Sequence, residues 1–115
     1  MRFLSIFKTT EACDGSRGCG EEMGQLIEEM TKAGTLLATE GCLPSELGAR
    51  VRRSGSKVIV TDGPFTESKE LVAGFALLEA KSKEEAMELT KRFLQVAGDG
   101  ECEIRQVFEH ANCPQ

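Results

Sequence analysis

The chain has no tryptophan and no tyrosine, one histidine and three prolines. Without the two largest ring systems, Phe, Leu, Ile, Val and Met must fill the core. A single histidine, His110, is too little to complete a zinc site at the usual spacings, and no Cys-x-x-Cys pair is present. No run approaches the roughly 20 apolar residues of a membrane-crossing helix. The N-terminal stretch Phe3-Leu4-Ser5-Ile6-Phe7 stops at Lys8 and is too short for the apolar region of a signal peptide. An excess of positive charge is missing as well. Fourteen Lys and Arg stand against nineteen Asp and Glu, a net charge of −5. That argues against electrostatic binding to nucleic acid or to an anionic membrane. The expectation is a cytoplasmic protein with no cofactor and no metal.

The cysteines are Cys13, Cys19, Cys42, Cys102 and Cys113. An odd number without a secretion signal reads as reduced thiols. Cys42 and Cys102 fall in strand-like runs and read as small apolar fillers. Cys13 and Cys19 flank a loop, with no nearby histidine or cationic cluster to generate a thiolate.

A chain of 115 residues has room for one core, so residues 1–115 read as a single domain. Residues 1–8 alternate loosely and predict a strand. A glycine-containing loop follows, then a helix from Glu21 to Ala33, where Met23, Leu26, Ile27, Met30 and Ala33 make one apolar stripe. Gly34 is placed to end it in the left-handed conformation. Leu36 to Cys42 predicts a short strand, closed by Leu43-Pro44. Ala49 to Arg53 and Lys57 to Thr61 predict a hairpin turning at Ser54-Gly55-Ser56. Residues 71–80 form a strand that is apolar at nearly every position. Ser82-Lys83-Glu84-Glu85 is a capping box opening a second helix, with Ala86, Leu89, Phe93 and Val96 on its buried stripe and Gly98 at its end. Residues 101–109 alternate, with Cys102, Ile104, Gln106 and Phe108 on one side and Glu101, Glu103, Arg105 and Glu109 on the other.

This order gives an α+β ferredoxin-like sandwich with an added β-hairpin and both helices on one face of an antiparallel sheet. The strand at 71–80 is nevertheless apolar on both sides. Leu71, Ala73, Phe75 and Leu77 read as one face, and Val72, Ala76 and Leu78 as the other. The uncovered face needs a partner. A second copy of the same sheet, in a homodimer, is one cover; the hairpin folded over its own sheet is the other.

The most informative stretch is Asp62-Gly63-Pro64-Phe65-Thr66-Glu67-Ser68-Lys69-Glu70. An aspartate in a turn usually accepts from the N–H two residues on, but that residue is Pro64, which has none. The Asp62 carboxylate must turn to the Phe65 or Thr66 N–H, to a basic side chain, or to a ligand. Pro64 also holds Gly63 extended. Arg50 and Arg52 share a face of the preceding strand and are within reach of the same carboxylates. The cluster reads either as an ion-paired loop that fixes assembly or as a ligand site. The loop before the first helix carries Gly15-x-x-Gly18-x-Gly20, the reverse of the dinucleotide fingerprint. Glu21 and Glu22 already satisfy the helix dipole there and would repel phosphate. His110 lies at or past the last strand and reads as a surface residue.

Val58-Ile59-Val60-Thr61-Asp62-Gly63-Pro64-Phe65, with Glu67, Lys69 and Glu70, resembles the DGPF branch of the YCII-related proteins. Glu40-Gly41-Cys42-Leu43-Pro44 is similar to that family's Gly-Leu-x-Pro corner. Ala73-Gly74-Phe75 stands where the family has Gly-Gly-aromatic, and an Ile104-Arg105 ending completes the likeness. The resemblance implies ferredoxin-like protomers paired in a dimeric α/β barrel. The His–Asp pair associated with enzymatic action in the wider group does not carry over, because the first half of this chain has no histidine. The branch's association with extracytoplasmic-function sigma factors implies a regulatory role. The expected function is therefore a dimeric small-molecule-binding or accessory protein, with a link to a sigma-factor pathway as the resemblance implies. Its cleft is formed by Asp62, Glu67, Lys69, Glu70 and Arg105, with Gly63, Pro64 and Phe65 holding the corner. The alternative is a small-molecule enzyme using one of those carboxylates as acid or base.

Overall fold

A computed structural model of the chain describes residues 1–9, 20–65 and 71–109. The strands are β1 (Arg2–Thr9), β2 (Leu36–Gly41), β3 (Ala49–Ser54), β4 (Lys57–Asp62), β5 (Leu71–Glu79) and β6 (Glu101–Gln106). The helices are α1 (Glu21–Lys32) and α2 (Lys83–Ala97), and a single 3-10 turn spans Ser45–Leu47. Four strands form one sheet in the order β2-β5-β1-β6, with every pairing antiparallel. Strands β3 and β4 pair only with each other, as a separate two-stranded ribbon. The order and directions are those of a ferredoxin-like α+β sandwich with the ribbon inserted between β2 and β5.

Local signals place the helices. Glu21 and Glu22 stand in the first turn of α1 and Lys32 in its last, matching the sign of the dipole at each end. Gly34, just past the helix, has φ +79°, a backbone region that glycine enters without a Cβ clash. At the start of α2 the Ser82 Oγ accepts the Glu85 N–H at 3.2 Å, the first half of the expected box. The reciprocal bond from the Ser82 N–H to the Glu85 carboxylate does not form.

Both helices pack on one side of the four-stranded sheet. Met23, Leu26 and Met30 of α1 and Ala86 and Ala97 of α2 are buried with Phe3, Leu36 and Leu78 from the strands. Phe7, Ala76, Leu89, Phe93, Val96 and Ile104 close around them. Phe7 and Phe93 meet edge to face at 5.4 Å, the favoured arrangement for an aromatic pair. Two buried hydroxyls, Ser5 on β1 and Thr90 on α2, bond each other at 3.4 Å, so neither is orphaned in the apolar layer.

Register places Leu4 opposite Leu77 and Ile6 opposite Phe75, on the side away from the helices. None of these four belongs to the core cluster. The ribbon does not cover them, because all twelve of its residues are exposed. The fold-back alternative therefore does not describe this protomer. A register shift between β1 and β5 at Phe7/Lys8 corrects the face assignment at the start of β5. The bulge resets the alternation, so Leu71 is buried at 8% exposure and Val72 stands out at 50%. The last strand is also shorter than its pattern. Pairing with β1 stops at Gln106, and Phe108 lies beyond it, exposed. Cys42 is exposed rather than a core filler, while Cys102 is half-buried in β6. Burial is the larger influence on the Cys102 thiol and raises its pKa, against a smaller lowering by its hydrogen bond with Ser5.

Candidate functional site

Two turns that lie far apart in sequence meet at the base of the ribbon. The first follows β2. Pro44 leads into the 3-10 turn, where the Leu47 N–H donates to the Pro44 carbonyl (3.1 Å) and the Gly48 N–H to the Ser45 carbonyl (2.9 Å). The second follows β4 and holds Asp62, Gly63, Pro64 and Phe65, with a cis Gly63–Pro64 peptide. The Gly63 N–H donates to the Gly48 carbonyl at 3.0 Å. The Phe65 N–H donates to the Ser45 Oγ at 3.0 Å. A Cβ added at Gly63 would run into the Ser45 carbonyl. The position needs glycine because another backbone occupies the space a side chain would take.

Phe65 is held a second way. The Arg50 guanidinium carbon lies 4.0 Å from the centre of its ring, within range of a cation–π contact. Gly63 and Phe65 thus have definite structural work at the corner. The Ser45 hydroxyl takes the Phe65 N–H, one of the partners open to Asp62. No described residue forms a hydrogen bond or ion pair with the Asp62 carboxylate, which is exposed. Cross-strand register sharpens the picture. Asp62 stands opposite Ala49, whereas Arg50 and Arg52 stand opposite Thr61 and Ile59. Directly opposed residues share a face and successive ones alternate. The two arginines do share a face, but it is the face opposite Asp62.

Arg105 lies elsewhere. It stands opposite Leu4 on the open side of the large sheet and donates to Glu103 at 3.2 Å. Lys8 donates to the same carboxylate at 3.0 Å. These two bonds, Lys8 first, hold the Glu103 carboxyl below its ordinary value. Leu4 in turn faces Leu77, six residues along β5 from Leu71, where the chain returns from the Asp62 corner. At about 3.3 Å per residue that is roughly 20 Å along the strand. Within one protomer the described residues do not bring Arg105 to Asp62. Glu67, Lys69, Glu70, Cys13, Cys19 and His110 lie outside the described residues. Among the described residues no three His, Cys, Asp or Glu side chains gather as a metal site, and no helix is long and apolar enough to cross a membrane.

Ser45 is the residue that reading the chain missed. Its signal was local: a serine directly after Pro44, opening a turn that ends at Gly48. Its partner is twenty residues away, and nothing in the sequence spacing announces that bond.

The family model described as the YCII-related domain matches residues 1–111. The chain is also similar to an uncharacterized protein of Rhizobium meliloti (strain 1021), with 31% identity over 70 residues. The matched stretch is 61% of this chain and 56% of that relative, so the chain spans about half the relative's length.

Proposed function

The chain belongs to the YCII-related family, and from that premise we propose that it works as a homodimeric binding module whose ligand site is the Asp62 corner. The observation that carries this reading is the state of one carboxylate. Gly63 and Phe65 are pinned by hydrogen bonds and close packing, while Asp62 beside them is exposed and unbonded by any described residue. A fixed backbone presenting an unengaged carboxylate is a preorganised acceptor. An ionised carboxylate accepts hydrogen bonds and donates none, so the fitting ligand carries an amine, guanidine or other N–H donor. Glu67, Lys69 and Glu70 follow in the same segment and are the proposed further contacts. Arg105 would join them only from a neighbouring copy or through a longer ligand.

The homodimer half of the proposal is supported by the apolar sheet face around Leu4, Ile6, Phe75 and Leu77, half-buried residues that no described helix or ribbon of the same protomer covers. Sheet-to-sheet packing of two copies would give the dimeric barrel. Membership of the DGPF branch, a cytoplasmic setting and a regulatory link to extracytoplasmic-function sigma factors belong to the same proposal and rest on the motif. The enzyme alternative lacks comparable support. A catalytic acid or base works in a site that excludes water and holds the reacting proton within hydrogen-bond reach, and Asp62 is open to solvent.

The test is Asp62→Asn in a thermal-shift series of small amines, guanidines and amides. The unliganded variant should match wild type within about 0.5 kcal/mol, as exposed substitutions do. A compound that raises the wild-type melting temperature should leave the variant unmoved. A large intrinsic loss of stability in Asp62→Asn would instead make the corner purely structural.

A further inference from the structure

We infer that the β3–β4 ribbon is an arm that docks on a second copy of this chain, so that the assembly joins protomers through the ribbon as well as through the open sheet. The inference rests on the homodimer proposed above and adds a contact that sheet-to-sheet packing does not require.

The ribbon is anomalous as it stands. Val51, Val58 and Val60 are 70%, 62% and 62% exposed. Register places Val51 opposite Val60 and Arg53 opposite Val58, so the three valines line one face with Ala49. An isolated two-stranded hairpin is marginal in water and needs a covered apolar face to hold its shape. No described residue of its own protomer covers it. The Gly63–Gly48 and Phe65–Ser45 bonds and the Arg50–Phe65 contact clamp the ribbon to the turn that follows β2.

Charge selects the occupant. Residues 49–62 carry Arg50, Arg52, Arg53 and Lys57 against Asp62 alone, a net of +3. The chain as a whole has −5, which leaves −8 on the remainder. A basic arm on an acidic body is complementary to another copy of the same body. On the open sheet face, Glu40 stands opposite Phe75 on one edge strand, while on the other side Glu101 and Glu103 are matched by Lys8 and Arg105, so the acidic excess lies with the body as a whole. Exposed apolar side chains also lie where the ribbon's root meets that sheet: Leu43 and Leu47 in the root and Val72 at the start of β5 are all exposed, and the Cys42 N–H donates to the Ala73 carbonyl between them. A single partner surface could therefore cover the root and the open sheet together.

Sedimentation velocity across a concentration series tests this on the full chain. The variants are Val51→Asp with Val60→Asp on the ribbon, and Phe75→Glu on the open sheet face. The ribbon substitutions touch no core residue, so circular dichroism should remain native. The expected result is a wild-type dimer whose dissociation constant rises at least tenfold in the ribbon variant, with a further rise for wild type in high salt. Hydrogen exchange offers a readout that needs no substitution: amides of 49–62 should gain protection as wild-type concentration rises through dimerisation. A ribbon variant that dimerises like wild type, with a ribbon that stays unprotected, would overturn the inference and leave the sheet-packed dimer standing. A wild type that is monomeric at high concentration would remove the dimer and the arm together. A ribbon protected only on adding duplex DNA would assign it to a different partner and also overturn the inference.

Discussion

The body and the ribbon of this protein solve the burial problem in opposite ways. In the body, helices α1 and α2 close over Phe3, Leu36 and Leu78, and the core is internal to the protomer. In the ribbon, twelve residues form a regular register with no core at all. The body is held by area removed from water along its whole length. The ribbon is held at one end, by backbone bonds and one close approach at Gly63. The difference teaches that a β-hairpin's position can be decided by its root while the reason for its sequence lies in whatever covers it.

The largest effect expected from this contrast is on stability. Leu78→Ala, deleting a side chain only 3% exposed, should cost about 2–5 kcal/mol, as buried leucine truncations do. Val60→Ala, the same kind of deletion on the ribbon, should change the dissociated protomer by no more than about 0.5 kcal/mol. Urea unfolding of both variants at dilution checks the pair, and equal losses would erase the distinction between the two regions.

A smaller effect is expected at the root. Gly63→Ala drives a methyl group into the Ser45 carbonyl, which is itself held by the Gly48 N–H. Overpacking of this kind costs about 1–3 kcal/mol. Hydrogen exchange should show the loss confined to the 3-10 turn and the ribbon, with α1 and α2 protected as before. Loss of protection spreading evenly through the helices would mean that root and body are one cooperative unit.

The smallest effect concerns Glu103 on the open sheet face. Its hydrogen bonds from Lys8 and Arg105 lower its carboxyl pKa from the ordinary 4.5. The folded value lies below the unfolded one, so the stabilisation is present above about 4.5 and fades as pH falls through the lowered value. The group is exposed, which keeps the contribution small. A carbon-13 NMR titration should place the Glu103 midpoint below that of an ordinary glutamate, and Lys8→Met should move it upward. An unchanged midpoint in that variant would make Arg105 the controlling partner.

Much of the body was legible from the chain. The apolar stripe at Met23, Leu26 and Met30 and the cap at Ser82 depend on neighbours three or four residues away, so spacing reveals them. The α+β class followed from the succession of strands and helices along the chain. The bulge that turns Leu71 inward and Val72 outward was not legible, because it depends on how β5 seats against β1. The early end of β6 was hidden for the same reason: Phe108 continues the alternating pattern, but no strand lies beside it to pair. At the candidate site, Asp-Gly-Pro-Phe marked the corner and Pro64 ruled out the usual bond for Asp62. That Ser45 would take the Phe65 N–H, and that Arg50 would turn to the Phe65 ring and away from the face of Asp62, was decided by the meeting of two turns twenty residues apart.

By itself, the sequence determined the element types, their order, the single apolar stripe on each helix, the turn at Gly55 and the stiffness of the Asp62 corner. Each of these depends on backbone preference or on contacts within a few residues, where sequence distance and spatial distance agree. Tertiary structure alone decided which face of β5 each residue takes, why Gly63 can carry no side chain, which groups the Asp62 carboxylate fails to meet, and that the ribbon leaves the body uncovered. These are contacts between segments far apart in the chain, and only the packing of one element against another brings them within reach.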